Sequence, residues 1–340
     1  MVTCEICGAV FKNTQGLAGH RRLRHTDQKP GFALTGHQLY RRVLQRLADK
    51  LAEQLANSIL EAHGQELLES CLEELHDQGL DVKPLDKRQT VRAIIVAAGQ
   101  SSRLFPLTSD RPGCLLDVGN KTILEKELDT LQGCGISHIA VVRGYQGEKI
   151  NYPQIRYYEN IDYENNGILK SLFCAESEIN DEFVFLYSDI IYRRDVLERL
   201  LQDKADISLI VDTEWISHYH QRRQHSLEEA ELTMVEGNRI RRIGKNIIDP
   251  GRAHGEFIGL AKFTKRGAEI LKSSYARALN EYSGIPFHNA PSVEKAYFTD
   301  MIQEIIDQGY IVHNVDIQGG WAEIDTLEDL EKARMQFQQS

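Results

Sequence analysis

From Val91 onward the sequence alternates between two textures: short, nearly continuous apolar runs and longer stretches with an apolar residue every three or four positions. The runs Val91–Ala97, His138–Val142, Phe183–Tyr187, Ile207–Val211, Phe257–Phe263 and Ile311–Val315 have the length and β-branched content of buried strands. Between them, Ile123–Cys134, Asp195–Gln202, Ala268–Leu279 and Thr299–Gln308 carry helical spacing. Strand alternating with helix requires crossovers. It predicts an α/β fold for residues 90–340: a Rossmann-like, mixed but mostly parallel sheet with helices on both faces. Ligands of such sheets bind beyond the carboxyl ends of the strands, so the residues that follow each apolar run are the first candidates for function.

The first ninety residues are built differently. Residues 36–82 read as a helical linker or hairpin, with Tyr40, Leu44, Leu47, Leu51, Leu55 and Ile59 at helical spacing, a break at Gly64 and a second amphipathic stretch through Leu75. This segment is a candidate for homodimerisation. Residues 1–28 contain Cys4-x2-Cys7-x12-His20-x4-His25. Two thiolates and two imidazoles close a tetrahedron around zinc, the structural arrangement. Phe11 and Leu17 stand where the small ββα core of a C2H2 zinc finger needs apolar side chains. Positions −1, 3 and 6 of its helix, which read bases in DNA-binding fingers, would be Asn13, Gly16 and Gly19. Glycine offers no side chain to a base edge, so the finger is expected to be structural or to dock a protein partner, and sequence-specific DNA binding is not expected.

Charge supports that division. The chain of 340 residues carries a net charge of −10, yet residues 1–30 hold five Lys/Arg against two Asp/Glu. An acidic main body argues against a large nucleic-acid surface. The other cysteines, Cys71, Cys114, Cys134 and Cys174, are scattered, as in a reduced compartment. The N-terminus lacks the basic-then-apolar order of a signal peptide, and no apolar run approaches the roughly 18 residues of a membrane span. A soluble, cytoplasmic protein is expected.

The strand Val91–Ala97 runs into Ala98-Gly99-Gln100-Ser101-Ser102-Arg103. Small residues after a strand let backbone N–H groups approach phosphates, and Arg103 adds a fixed positive fork. The loop has neither a GK[ST] ending nor GxGxxG, so it is not a P-loop or a dinucleotide fingerprint. The stretch Ala97–Leu116 resembles the signature of the nucleoside-triphosphate transferase family. Later segments extend the resemblance: Asn165–Leu172, Phe185–Ile190, Gly255–Leu260 and Gly319–Thr326. Tyr187-Ser188-Asp189-Ile190-Ile191-Tyr192, Val211–Trp215 and Gly319–Asp325 most resemble the phosphocholine and phosphonate cytidylyltransferases within that family.

The resemblance implies a nucleotidyltransferase that moves CMP from CTP to a phosphate or phosphonate monoester and releases pyrophosphate. It implies nucleotide contacts from Ala97, Ala98, Gly99, Gln100, Ser101, Ser102 and Arg103. It makes Arg103, Asp189 and Asp325 catalytic, with Asp189 and Asp325 holding magnesium and Glu323 in reach to assist. Asn166, Ser171, Tyr192, Glu256 and Trp321 become candidates for the acceptor, with Trp215 and Asp300 beside them. An ammonium over aromatic rings is favourable, which makes aminoalkyl or choline-like acceptors attractive. One departure stands out: the family signature has Pro-Lys before a small residue and leucine, and this chain reads Arg111-Pro112-Gly113-Cys114-Leu115. Gly113 replaces a lysine that neutralises the triphosphate, and Arg111, Lys121 or another lysine must substitute in a working site. Two other readings stay open: a sugar-1-phosphate nucleotidyltransferase using another triphosphate, and a nucleotide-sensing regulatory or scaffold protein.

Overall fold

The computed structural model describes residues 2–4, 10–12, 15, 91–219 and 222–337, and the chain divides into two units, Met1–Lys87 and Arg88–Ser340. In the first unit β1 (Val2–Thr3) pairs antiparallel with β2 (Val10–Phe11), and Cys4, directly after β1, is buried. The other three expected zinc ligands, Cys7, His20 and His25, and the helical segment 36–82 lie outside the described residues.

The second unit begins with β3 (Arg92–Ala97), followed by two short strands, β4 (Asp117–Val118) and β5 (Lys121–Thr122), and helix α1 (Ile123–Gly133). Thr122 starts α1 with a capping box: its hydroxyl accepts from the Glu125 amide, and the Glu125 carboxylate accepts from the Thr122 amide. Next come β6 (His138–Arg143), β7 (Ile155–Glu159), α2 (Ile168–Cys174), β8 (Phe183–Tyr187), β9 (Ile190–Tyr192), α3 (Arg194–Gln202) and β10 (Ile207–Asp212). The chain continues through α4 (Trp215–Tyr219), β11 (Glu231–Glu236), β12 (Arg239–Lys245), β13 (Gly255–Phe263), α5 (Lys265–Glu281), α6 (Phe298–Asp307), β14 (His313–Ile317), β15 (Trp321–Glu323) and α7 (Leu327–Gln336).

Nine strands form one sheet in the order β10-β14-β12-β11-β13-β8-β3-β6-β7, and β10 also pairs with β13. The expected parallel sheet is present from β8 through β3 and β6 to β7, and again between β10 and β14. The expectation that the sheet is mostly parallel needs correction. β13 runs antiparallel to β8, β10 and β11, and β12 runs antiparallel to β11 and β14. The cause is a hairpin: β11 and β12 turn back at Gly237-Asn238, with Gly237 at φ 64°, a conformation glycine adopts without steric cost.

Both faces of the central strands are apolar, and the alternation assigns each residue to one face. Ile94, Phe183, Phe185, Leu209 and Val211 pack against α2, α5 and α6; Ala93, Ile95, Val184, Leu186 and Ile210 pack against α1 and α3. Complete burial of one such side chain contributes about 1.5–3 kcal/mol, and a one-residue slip of any of these strands would exchange its positions between the two faces. The register is therefore fixed, and with it the points where the strands end. No described helix is long and apolar enough to cross a membrane.

Candidate active site

Beyond Ala97 the chain turns sharply. Ser101 has φ 47°, Thr108 donates its hydroxyl hydrogen to the Ser101 carbonyl at 3.0 Å, and Ser102–Leu104 forms a single 3-10 turn. Ala97, Ala98, Gly99 and Ser101 line a cavity together with Gly113, Asn166, Ser171 and Asp189. Asn166 and Ser171 stand at the start of α2 and are joined by Asn160, whose amide donates to Asn166 Oδ1 at 2.7 Å and to Ser171 Oγ at 2.8 Å. They share the cavity of the Gly/Ser loop. α2 follows β7 across the parallel half of the sheet, which brings its first turn, with these two acceptor candidates, to the end of β3. Gln100 points elsewhere, donating to Glu164 at 3.3 Å.

Gly113 has a steric explanation. A Cβ at this position would lie 2.4 Å from Ser101 Oγ and 2.8 Å from Ser101 Cβ, so no side chain fits while the Ser101 turn keeps its shape. The two residues proposed from sequence to replace the lysine charge do not line the cavity. Arg111 pairs with Asp110 at 3.0 Å and Lys121 pairs with Asp129, both on the surface.

At the end of β8 the chain passes through Ser188 to Asp189 and returns as β9, which pairs antiparallel with β15; Glu323 lies opposite Ile190. This small ribbon carries Asp325 to Asp189: the Asp189 carbonyl accepts from the Ile324 amide at 2.8 Å. Thr326 then caps α7, exchanging hydrogen bonds with Asp329, so Asp325 sits between a paired strand and a capped helix. Arg103 donates to Asp325 Oδ2 at 2.6 Å and approaches Glu229 to 3.8 Å. Burial, and then the charges of Asp325 and Glu323, push the Asp189 carboxyl well above its ordinary range. Asp325 is pushed up to about 6 by burial and Glu323, against the pull of Arg103. Asp189 Oδ1 is buried with no hydrogen-bond partner. Crowded carboxylates with an orphaned oxygen suit a hard divalent cation, which takes few carboxylates and completes its shell with water and phosphate oxygens.

A second, smaller cavity is lined by Glu323 of this acidic cluster together with Tyr187, Glu229, Glu231, Lys245, Glu256 and Trp321. Glu231 is satisfied by the hydroxyls of Tyr187 at 2.8 Å and Thr299 at 3.0 Å. Lys245 is largely enclosed, 3.2 Å from Glu229 and 4.7 Å above the Tyr297 ring; Glu231 and Glu229 hold its ammonium in the charged form against burial. Glu256 accepts from the Tyr219 hydroxyl at 2.6 Å, while its Oε2 is buried without a partner. Burial and the nearby Glu323 push Glu256 up to about 8. Trp321 donates Nε1–H to Asp212 Oδ2 at 2.8 Å and stacks on His218.

Three other candidates line neither of these cavities. Tyr192 lies in the core among Leu128, Leu131 and Val196, its hydroxyl buried and unpartnered, because on β9 it faces α1 rather than a cavity. Trp215 packs with Tyr219, Leu232 and Ile248. Asp300 caps α6, accepting from the Tyr297 amide at 2.8 Å. The sequence reading missed Tyr187 and Glu231 as cavity walls and Lys245 as the enclosed cation. It also missed Arg222, which bridges Asp329 at 2.7 Å and Glu323 at 3.1 Å. The Gly-Asn turn of the β11–β12 hairpin was a legible signal for Glu231 and Lys245; Arg222 sits in a connecting segment with no periodic signal.

Residues 93–247 match the family model of the MobA-like NTP transferase domain. A CTP:phosphoglutamine cytidylyltransferase of Campylobacter jejuni is 29% identical over 71% of this chain and 98% of its own length. Of several other curated relatives the chain spans about half the length. Among solved structures, the inositol-1-phosphate CTP transferase of T. maritima is similar with a TM-score of 0.57 and 22% identity, over 74% of this chain and 98% of that one. The CTP:phosphocholine cytidylyltransferase of Streptococcus pneumoniae is similar with a TM-score of 0.56 and 21% identity, over 73% and 99%. At these identities the solved structures speak for the fold.

Proposed function

Taking the chain to be a nucleotidyltransferase with a MobA-like NTP transferase domain at residues 93–247, we propose that it moves CMP from CTP to a small phosphate or phosphonate monoester and releases pyrophosphate. The observation that supports this reading is that Asp189 lines the cavity walled by the Gly/Ser loop while Glu323, whose charge acts on Asp189, lines the cavity holding Lys245 and Glu256. The loop cavity suits the nucleotide: Ala98 and Gly99 offer backbone groups to the base, and Ser101 and Ser102 lead to the phosphates. The second cavity suits the acceptor. Lys245 meets its anionic phosphoryl group, and the free oxygen of Glu256 with the Trp321 wall meets an N–H donor such as an ammonium.

The acceptor oxygen is already negative, so the reaction needs no general base. It attacks the α-phosphorus in line, the new O–P bond forms, the bond to the bridging oxygen of the β-phosphate breaks, and its electron pair leaves on pyrophosphate. The protein's part is positioning and charge neutralisation. Asp189 and Asp325 would hold a magnesium ion, which when bound neutralises charge on the phosphoryl oxygens. Arg103, paired with Asp325 but 45% exposed, would turn to the phosphates when that carboxylate holds the cation. With Gly113 in place of the signature lysine, Arg103 and Lys245 would supply positive charge to the phosphates.

For the N-terminal unit we propose a C2H2 finger with one structural zinc on Cys4, Cys7, His20 and His25. Support comes from the ligand spacing, the β1–β2 pairing and the burial of Cys4. Docking of a protein partner there, and homodimerisation through residues 36–82, belong to the same proposal.

Pyrophosphate release with each nucleoside triphosphate, magnesium and a panel of phosphocholine, aminoethylphosphonate, hydroxyethylphosphonate, amino-acid phosphoramidates and sugar 1-phosphates tests the catalytic reading. Release confined to CTP and a non-sugar acceptor is expected. Release with a sugar 1-phosphate and another triphosphate, or none from protein that still binds CTP, would overturn it.

A further inference from the structure

We infer that His225 joins Glu323 and Asp325 as a nitrogen ligand, so that the acidic centre takes a first-row transition divalent cation, manganese(II) foremost, in preference to magnesium. The inference rests on the cation-holding role proposed above for Asp325 and names a ligand set for it.

His225 is enclosed, its side chain 1% exposed, yet its Nδ1 has no hydrogen-bond partner. That nitrogen lies 3.9 Å from both Asp325 Oδ2 and Asp329 Oδ2, and the other ring nitrogen lies 3.8 Å from Glu323 Oε2; Asp329 is already engaged by Thr326 and Arg222. One ligand atom from each of the three residues falls within a single sphere of coordination size. A buried imidazole with an unused nitrogen is costly unless it is completed by a donor or a metal. Of the three carboxylates around it, those of Glu323 and Asp325 are not tied up by a helix cap, and with the imidazole they make the mixed nitrogen–oxygen set that imidazole-accepting cations favour; magnesium favours oxygen alone.

Two arginines hold the same carboxylates, and their surroundings differ. Arg103, on Asp325, has a side chain 45% exposed and can swing away. Arg222, on Glu323, is 7% exposed and anchored by Asp329 at 2.7 Å. Arg222 stays as a counter-charge that orients Glu323 and offsets the excess of carboxylates once the cation has entered. The connection 222–230 thus has a function beyond linking α4 to β11: it delivers both a ligand and the cation that aims a second ligand.

The test uses the full-length chain, dialysed free of loosely bound cations, with manganese(II) alone as the probe and no nucleotide or acceptor. Electron spin-echo modulation reads nitrogen coordination and calorimetric titration reads affinity. Wild type should show nitrogen coupling. His225→Asn should lose it and bind manganese at least about tenfold more weakly, the lower end of the effect of removing a group behind a ligand, with magnesium affinity changed less than threefold. Wild type without nitrogen coupling, coupling that survives in His225→Asn, or equal losses for both metals would overturn the inference. Should His225→Asn fail to fold by circular dichroism, Glu323→Gln decides: weaker manganese binding with retained nitrogen coupling supports the ligand set, and unchanged binding overturns it. No turnover is read, so a chain that binds manganese in this way but releases no pyrophosphate would refute the catalytic reading and leave the site standing.

Discussion

Gly113→Ala is the smallest perturbation that tests whether the Ser101 turn leaves room for a side chain at position 113. The added methyl would sit 2.8 Å from Ser101 Cβ and 3.7 Å from Leu104 Cδ1. Rotating the Ser101 side chain moves its hydroxyl and leaves its Cβ where it is, so the relief has to come from the backbone of the turn. Overpacking of this kind costs about 1–3 kcal/mol. For a unit the size of Arg88–Ser340 that corresponds to a melting shift of roughly 2–4 °C per kcal/mol. Ser101→Gly removes both clashing atoms, and φ 47° at this position is a conformation that disfavours non-glycine residues by about 1–2 kcal/mol. The double variant should therefore recover most of the loss, with a coupling energy of about 1–3 kcal/mol. The assay is thermal melting of the four proteins, with pyrophosphate release measured alongside. Gly113→Lys should fail to raise kcat/KM in the wild-type background because it carries the same clash. A Gly113→Ala variant with wild-type melting, or a penalty that Ser101→Gly does not relieve, would refute the steric account of the missing lysine.

Two further predictions follow from charge. Asp325 titrates near 6 in the folded chain, above its ordinary 3.8, so it binds protons more tightly folded than unfolded. Its contribution to stability is complete below about pH 4 and is lost as pH rises through about 6. Denaturant melts of cation-free protein should fall over that window, and Asp325→Asn should flatten the curve. Glu256, pushed up to about 8, is mostly neutral at pH 7. KM for an ammonium-bearing acceptor should fall as pH rises from about 7 to 9, and Glu256→Gln should raise KM and abolish that trend with kcat little changed; a KM that keeps the trend in the variant removes Glu256 from the acceptor site.

The apolar runs located the central strands closely: Phe183–Tyr187 was read to the residue, and β3 and β6 to within one. Runs that are apolar on both faces have no alternative home in an aqueous protein, so their position is a local property. β9, β15 and the β11–β12 hairpin were harder to read. β9 and β15 are three residues each, too short for periodicity, and they exist because they pair with each other. The loop Ala97–Arg103 was recognisable from its small residues alone. Lys245 and Glu256 lie far along the chain from it and are ordinary in local sequence; only the antiparallel return of β12 and β13 joins them to one cavity. Tyr192 failed as an acceptor contact for the converse reason. Its motif was right, and alternation along β9 turned it inward.

Chain-local chemistry fixes the α/β alternation, the small-residue turn after β3, and the Cys-x2-Cys and His-x4-His spacing within the first 28 residues. Tertiary structure alone decided which charges share a dielectric. Burial, and then the charges of Asp325 and Glu323, raise the proton affinity of Asp189; burial and Glu323 raise that of Asp325, on which Arg103 settles. Gly113 is excluded from bearing a side chain by a serine twelve residues earlier. Coulomb and steric energies depend on distance in space, and for these residues that distance is set by the packing of strands far apart in the chain.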